Sequence, residues 1–348
     1  MNKYVTLVKH ELKSIKLLIF IFATFMYFSG IETYKESIKE MIITYLNYPS
    51  FAVIEIPVIN PCINLICFIF PIFLAEIQFD SKNNKILFEL PFTKNELFIA
   101  KTFIGTVLIT LIFILYTLAE IVIFNKNKLI IQRILSVCSK QMPEFITNGN
   151  LILAIIYLWF IFILIYTITI FFMLCVKNRK LSVICFFGTV FLPYSIVYIF
   201  GRISMYLFGK ISNNANFLNP INIINANFTI YRHYGYHEYM YNIKTYIIYL
   251  SILFVFFITL AYKLYKRWEQ AENVNLFTFR WAEYIFIFCS GLYGIIISSL
   301  FVISFFHSEI LLISVIIIGF LLGIKISYKI CDMNGIHLDK VYQRRKIK

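Results

Sequence analysis

The chain has 348 residues, 60% hydrophobic and only 14% charged, with a mean hydropathy of +0.79. Soluble domains run about 45–50% apolar and about 25% charged, so a soluble fold of this size cannot bury so much apolar side chain, and lipid must solvate much of it. Lys and Arg number 32 against 18 Asp and Glu, a net charge of +14, yet nucleic-acid binding needs such charge gathered on one wet face, and here it follows the ends of apolar runs. Seven Cys form no Cys-x-x-Cys pair; Cys67, Cys175, Cys185 and Cys289 lie inside apolar runs and read as small hydrophobes, not as disulfide or metal ligands. The first apolar run lacks a small-residue cleavage site, which argues against a signal peptide.

The fold class expected is an all-α polytopic membrane protein with about eight transmembrane helices, near residues 17–31, 58–79, 98–124, 150–176, 181–208, 245–265, 283–306 and 310–330. All but the first approach the roughly 20 residues that cross hydrocarbon; Lys13 and Lys16 can snorkel to extend that one. Pro61, Pro71 and Pro193 fall inside spans and mark kinks that neighbouring helices re-satisfy. With both termini cytoplasmic, 22 of the 32 basic residues but only 10 of the 18 acids fall on the inner side, the positive-inside pattern. The basic excess therefore expresses orientation.

Ahead of the first span, residues 1–16 read as an amphipathic interfacial helix. Tyr4, Val8, Leu12 and Ile15 recur at helical spacing, with Lys9, Lys13 and Lys16 on an adjacent face suited to anionic headgroups; a plain basic anchor is the competing reading. Residues 32–59, with Glu32, Glu36, Glu40 and Glu55, look like a short outer helix lying near the surface.

Between the second and third spans comes Glu76, then a polar stretch with Leu87, Phe88, Leu90 and Pro91, then Phe92, Thr93, Lys94 and Glu96. Ser81 can cap a short helix that Leu90-Pro91 ends, because the residue before Pro is pushed out of the α region. Thr93 and Glu96 have the spacing of a capping box opening the third span. The product is a helix–break–helix elbow on the inner face that shows Leu87, Phe88, Leu90 and Phe92 beside charges, a surface suited to a partner's groove.

These features resemble the bacterial ABC-2 type permease subunits of ABC transporters. That family has an acid at the inner end of its second span (here Glu76) and a loop helix ending in a Leu-Pro motif with a following Thr-Lys-x-Glu pattern (Leu90 to Glu96). It also has a Lys opening the third span (Lys101), an amphipathic amino-terminal helix and an Asn-Pro segment outside the fifth span (Asn219-Pro220). The resemblance covers about residues 1–265 and implies a six-span core over 17–265. Residues 266–348, a basic loop, two further spans and a basic tail, go beyond that core. It also implies that the elbow is a cytoplasmic coupling helix docking on a separate ABC ATPase, two per complex, beside a second permease copy or a paralogue. No cofactor would be bound by this chain, ATP and Mg being held by the partner. The cargo expected is amphipathic or hydrophobic: a peptide, antibiotic or lipid.

Glu76, Glu120 and Glu283 lie in or at the ends of apolar runs, where a carboxylate needs a partner or water; Glu120 and Glu283 are expected at the interfaces. The outer loop 209–244 is rich in Tyr and Asn, which suits an interfacial belt. His233 and His237 have helical metal-ligand spacing but no convincing third ligand. No Gly-x-x-x-x-Gly-Lys-Ser/Thr loop is present, so ATP phosphates have no cradle here, and no catalytic motif stands on a wet face. Competing readings are an integral-membrane glycan or lipid enzyme, for which Arg202, Lys210 and Arg232 offer too little phosphate-binding charge, and a secondary transporter, for which no internal repeat is visible.

Overall fold

In a computed structural model, the structure describes residues 3–47, 61–79, 92–138, 148–176, 179–208, 236–267, 277–305 and 309–346. These are nearly all helical: α1 (Lys3–Phe25), a π-helical turn (Met26–Glu32), α2 (Thr33–Asn47), α3 (Pro61–Phe79), α4 (Lys94–Cys138), α5 (Asn148–Cys175), α6 (Arg179–Phe208), α7 (Tyr236–Arg267), α8 (Arg280–Phe305) and α9 (Glu309–Lys346). The only β pairing among the described residues is one antiparallel bridge, Val176 to Phe277. Among the described residues, four stretches are long and apolar enough to cross a membrane: Lys94–Ile130, Ile247–Arg267, Trp281–Val302 and Ser314–Cys331. Shorter apolar stretches run over Ile15–Phe25, Ile69–Phe79, Trp159–Cys175 and Leu181–Leu192. Large apolar side chains such as Ile297, Phe301, Ile317 and Leu321 are exposed, which suits contact with lipid.

Two compact units partition the chain: Met1–Ile170 with Ile224–Lys263, and Phe171–Ile223 with Leu264–Lys348. The carboxy-terminal hairpin thus shares a unit with residues 171–223.

In the first unit, α1 packs on α3 and α4, and the π turn and α2 pack on α4. Helix α1 differs from expectation in two ways. Residues 3–16 do not end in a break before the apolar run, because one uninterrupted helix runs from Lys3 to Phe25; nothing between them is a Pro or Gly, so the helix propagates. Its buried stripe is Leu7, Glu11, Ile15 and Phe22, while Val8 and Leu12 are exposed. The helix is rotated by about one residue, roughly 100°, from the setting that apolar spacing favours, and a glutamate faces inward. Phe22 stacks on Phe70 at 3.8 Å between centroids and meets Phe162 edge-on at 6.4 Å, and Phe162 meets Phe113 at 4.6 Å. Such pairs add about 0.5–1.5 kcal/mol each beyond burial.

Pro61 opens α3 at a position where its missing N–H costs nothing, and Pro71 lies inside the helix. Helix α4 is far longer than the expected 98–124: its 45 residues reach about 68 Å, roughly twice the hydrocarbon thickness. No Pro occurs before residue 143 to stop it.

In the second unit, α8 and α9 form the most extensive helix pairing among the described residues. Helix packing in lipid gains little from apolar burial and depends on close backbone approach. A Cβ on Gly294 would overlap the carbonyl oxygen of Gly319, and one on Gly319 would overlap Ser298 Oγ. Ser298 Oγ donates across the pair to the Val315 carbonyl at 3.2 Å. Tyr293 hydroxyl donates to the Gly188 carbonyl of α6 at 2.6 Å, tying the hairpin to that helix.

Gly294→Ala is expected to destabilise the protein by about 1–3 kcal/mol through overpacking. Gly188→Ala, where a Cβ would lie 3.6 Å from the Tyr293 ring, is expected to be neutral or to stabilise by up to about 1 kcal/mol. Thermal unfolding of the two variants in detergent checks both; equal losses would show that the α8–α9 contact is loose.

Candidate functional site

The first unit buries a set of polar side chains from four helices. Glu11 of α1 is 2% exposed, and Gln78 of α3 and Lys101 of α4 are both 0% exposed, as is Tyr166 of α5. The Lys101 ammonium lies 3.2 Å from Glu11 Oε1, with the two side chains 0% and 3% exposed. It also donates to the Gln78 backbone carbonyl and sits 5.7 Å above the centre of the Phe79 ring. Tyr166 hydroxyl donates to Gln78 Oε1, and Gln78 Nε2 donates to the Lys101 carbonyl at 3.3 Å. Four helices therefore share one network.

Local sequence explains how the groups reach one another. Gln78 is in the last turn of α3 and Lys101 is near the start of α4, so the end of one helix meets the beginning of the next. Gly105, one turn beyond Lys101, leaves the space into which Tyr166 projects; a Cβ there would overlap the Tyr166 hydroxyl and come within 2.9 Å of Gln78 Oε1. Around the knot, Phe79 meets Phe98 at 6.0 Å, and Phe98 meets Tyr262 of α7 at 5.6 Å. Taking an ammonium and a carboxylate out of water costs several kcal/mol each, recovered only when good geometry and further hydrogen bonds complete the pair. The donors and acceptors around Lys101 supply that completion.

The start of α4 carries the capping box expected from Thr93 and Glu96. Thr93 N donates to Glu96 Oε2 at 2.8 Å and Glu96 N donates to Thr93 Oγ1 at 3.2 Å. Lys94 is exposed as the first helical residue, and Phe92 and Glu96 are half-buried. Glu76 is buried on α3, two residues before Gln78. Leu87, Phe88, Leu90 and Pro91, and with them the body of the elbow, lie outside the described residues. So do His233 and most of the Tyr-rich loop. Lys9, Lys13 and Lys16 are exposed on α1, off its buried stripe.

Two carboxylates are placed differently from each other. Glu283 is half-exposed in the first turn of α8. Glu120 is fully buried among the helices of the first unit. Because α4 continues to Cys138, residue 120 is mid-helix and falls on its inward stripe with Ile109, Ile112, Phe113, Tyr116 and Phe124.

Three members of the knot, Glu11, Gln78 and Tyr166, escape a reading of the residues. The available signal was Glu11 as the lone acid among four lysines, one helix turn from apolar neighbours on either side, and Lys101 set between Phe98 and Phe103. Gln78 and Tyr166 carry no such signal. Comparison with family models, with characterised proteins and with solved structures finds no match.

Glu11→Leu or Lys101→Met alone strands a buried charge and is expected to cost about 3–5 kcal/mol. The double variant is expected to lose less than the sum of the two. A double-mutant cycle of unfolding in detergent checks this; strictly additive losses would show that the two charges do not act as a pair.

Proposed function

We propose that the chain is the membrane-spanning permease subunit of an ATP-driven transporter of the ABC type, moving an amphipathic or hydrophobic substrate with energy from a separate ATPase. The observation that carries this reading is where the buried knot lies. Gln78 and Lys101 bracket the segment 80–93, the proposed coupling elbow, and through Glu11 and Tyr166 they join it to α1 and α5. A push on that segment is thus delivered to four helices at once.

Further support comes from the Thr93–Glu96 box, which makes the rigid start of α4 begin directly after the elbow. In this reading the shorter apolar helices also cross the bilayer, giving about eight spans in a multi-pass protein of the cell membrane with both termini in the cytoplasm. The knot end of the first unit then faces the cytoplasm, where basic residues concentrate. Two ATPase subunits bind a pair of permeases, this chain with a second copy or a paralogue, and closure of the ATPases on ATP and Mg biases the helices between inward and outward states. Export of a peptide, antibiotic or lipid is the activity this fits.

Purification of the full chain in mild detergent from its native cells is expected to bring down an ATPase with Walker motifs. Leu90→Asp or Phe92→Asp is expected to reduce that recovery at least tenfold, equivalent to about 1.4 kcal/mol or more of lost docking, while the chain still inserts and folds. Recovery of no ATPase with the unaltered chain, or full ATPase stimulation by both variants, would overturn the proposal.

A further inference from the structure

Glu120 is a carboxylate the knot does not use. It is 0% exposed, inside the apolar stretch Lys94–Ile130, and neither of its oxygens makes a well-formed hydrogen bond. Tyr116, one turn earlier on the same face, is the polar side chain beside it; Phe113 and Phe124 complete that face of α4, both buried.

Its level in the unit follows from register. Glu11 pairs with Lys101, and farther along both helices Phe22 and Phe113 meet the same ring, Phe162. Helices α1 and α4 therefore run side by side in the same sense. Glu120 is 19 residues past Lys101, about 28 Å along the helix, and the same count from Glu11 ends at residue 30. That residue lies in the π turn Met26–Glu32, which packs on α4. π turns are rare, locally strained departures from the α-helix and are frequent at functional sites.

Among the described side chains, no charged group pairs with Glu120. On the π turn, Glu32 pairs with Lys35 of α2 at 3.7 Å, both partly exposed. Glu36, Lys39 and Glu40 of α2 are exposed. The described charged side chains of α1 and α3 (Lys9, His10, Glu11, Lys13, Lys16 and Glu76) belong to the opposite end or lie at its approach, and α5 (Asn148–Cys175) has no charged residue. On α4 itself, Lys126 is exposed and Lys128 lies two turns on. An ionised carboxylate without a partner is among the least tolerated groups in such surroundings.

We propose that Glu120 is a proton-binding site at the π-turn end of the first unit. In the packed arrangement the carboxyl carries its proton; when the helices around it part and water enters, the O–H bond breaks, the electron pair stays on the carboxylate oxygen and the proton passes to water. Parting of this end of the unit is thereby linked to one proton. The inference does not rest on the permease reading.

The test compares unfolding of the full-length chain in detergent with that of Glu120→Gln, a neutral side chain of the same shape, between about pH 5 and about pH 8, above the range where a free carboxyl ionises. The packed state binds one proton more than the unfolded chain, so its stability must fall as pH rises. The expected result is that the unfolding constant of the unaltered chain, relative to the variant, grows by up to about tenfold per pH unit. A protonated-carboxyl stretch should also be present in its infrared spectrum at neutral pH and absent from the variant's. A ratio independent of pH, with no such band, overturns the proposal. So does failure of both Glu120→Gln and Glu120→Leu to fold, because a carboxyl that is already uncharged tolerates an uncharged replacement.

Discussion

The burial of Lys101 is the constraint from which the arrangement of the first unit follows. An ammonium that water cannot reach must be met by a carboxylate and by further acceptors, and each demand is answered from a different helix. Glu11 supplies the charge, which is why α1 turns an acid inward and leaves Val8 and Leu12 exposed. The Gln78 carbonyl supplies an acceptor in the last turn of α3, where terminal carbonyls lack intrahelical partners. The Gln78 amide then needs partners of its own and finds them in Tyr166 and the Lys101 carbonyl. Gly105 is small because Tyr166 must come close enough to take part.

The second unit is held by a different force. Between α8 and α9 no buried ion pair is described; the helices meet through Gly294, Gly319 and Gly323 with a serine hydroxyl bridging them. Such contact gains dispersion energy over a long seam and has little directional demand, so it resists separation but tolerates small sliding. A polar knot behaves in the opposite way, because its members are satisfied only together and a partial break leaves charges bare. The first unit is therefore built to be either intact or open near Lys101, with intermediate arrangements penalised.

Much of this organisation was legible in the amino-acid sequence, and the part that was not has a physical reason. Apolar runs and local capping depend on neighbours a few residues away, so the long helices and the Thr93–Glu96 box could be read directly. The rotation of α1 could not, because apolar spacing ranks Val8 above Glu11 unless a lysine on α4 is known to await it. The same holds for Gln78 and Tyr166, separated by 88 positions and joined only by the fold. The burial of Glu120 was not legible either, because the hydropathy run fades near residue 124, whereas the helix itself continues to Cys138 and keeps that side chain on its inward stripe.

Two of the buried acids of the first unit, Glu11 and Glu120, also illustrate how pairing decides what a carboxylate can do. Glu11 is held by the Lys101 ammonium and serves cohesion. Glu120 has apolar neighbours and a single tyrosine close by, so its charge depends on whether water is present. The two lie at opposite ends of the α1–α4 pair, about 28 Å apart along the helices. A helix pair that is charge-locked at one end and held at the other by a neutral acid will part more readily at the second. If energy arrives at the segment between Gln78 and Lys101, the intact knot carries it as a rigid displacement, and the end near the π turn is where that displacement can become an opening.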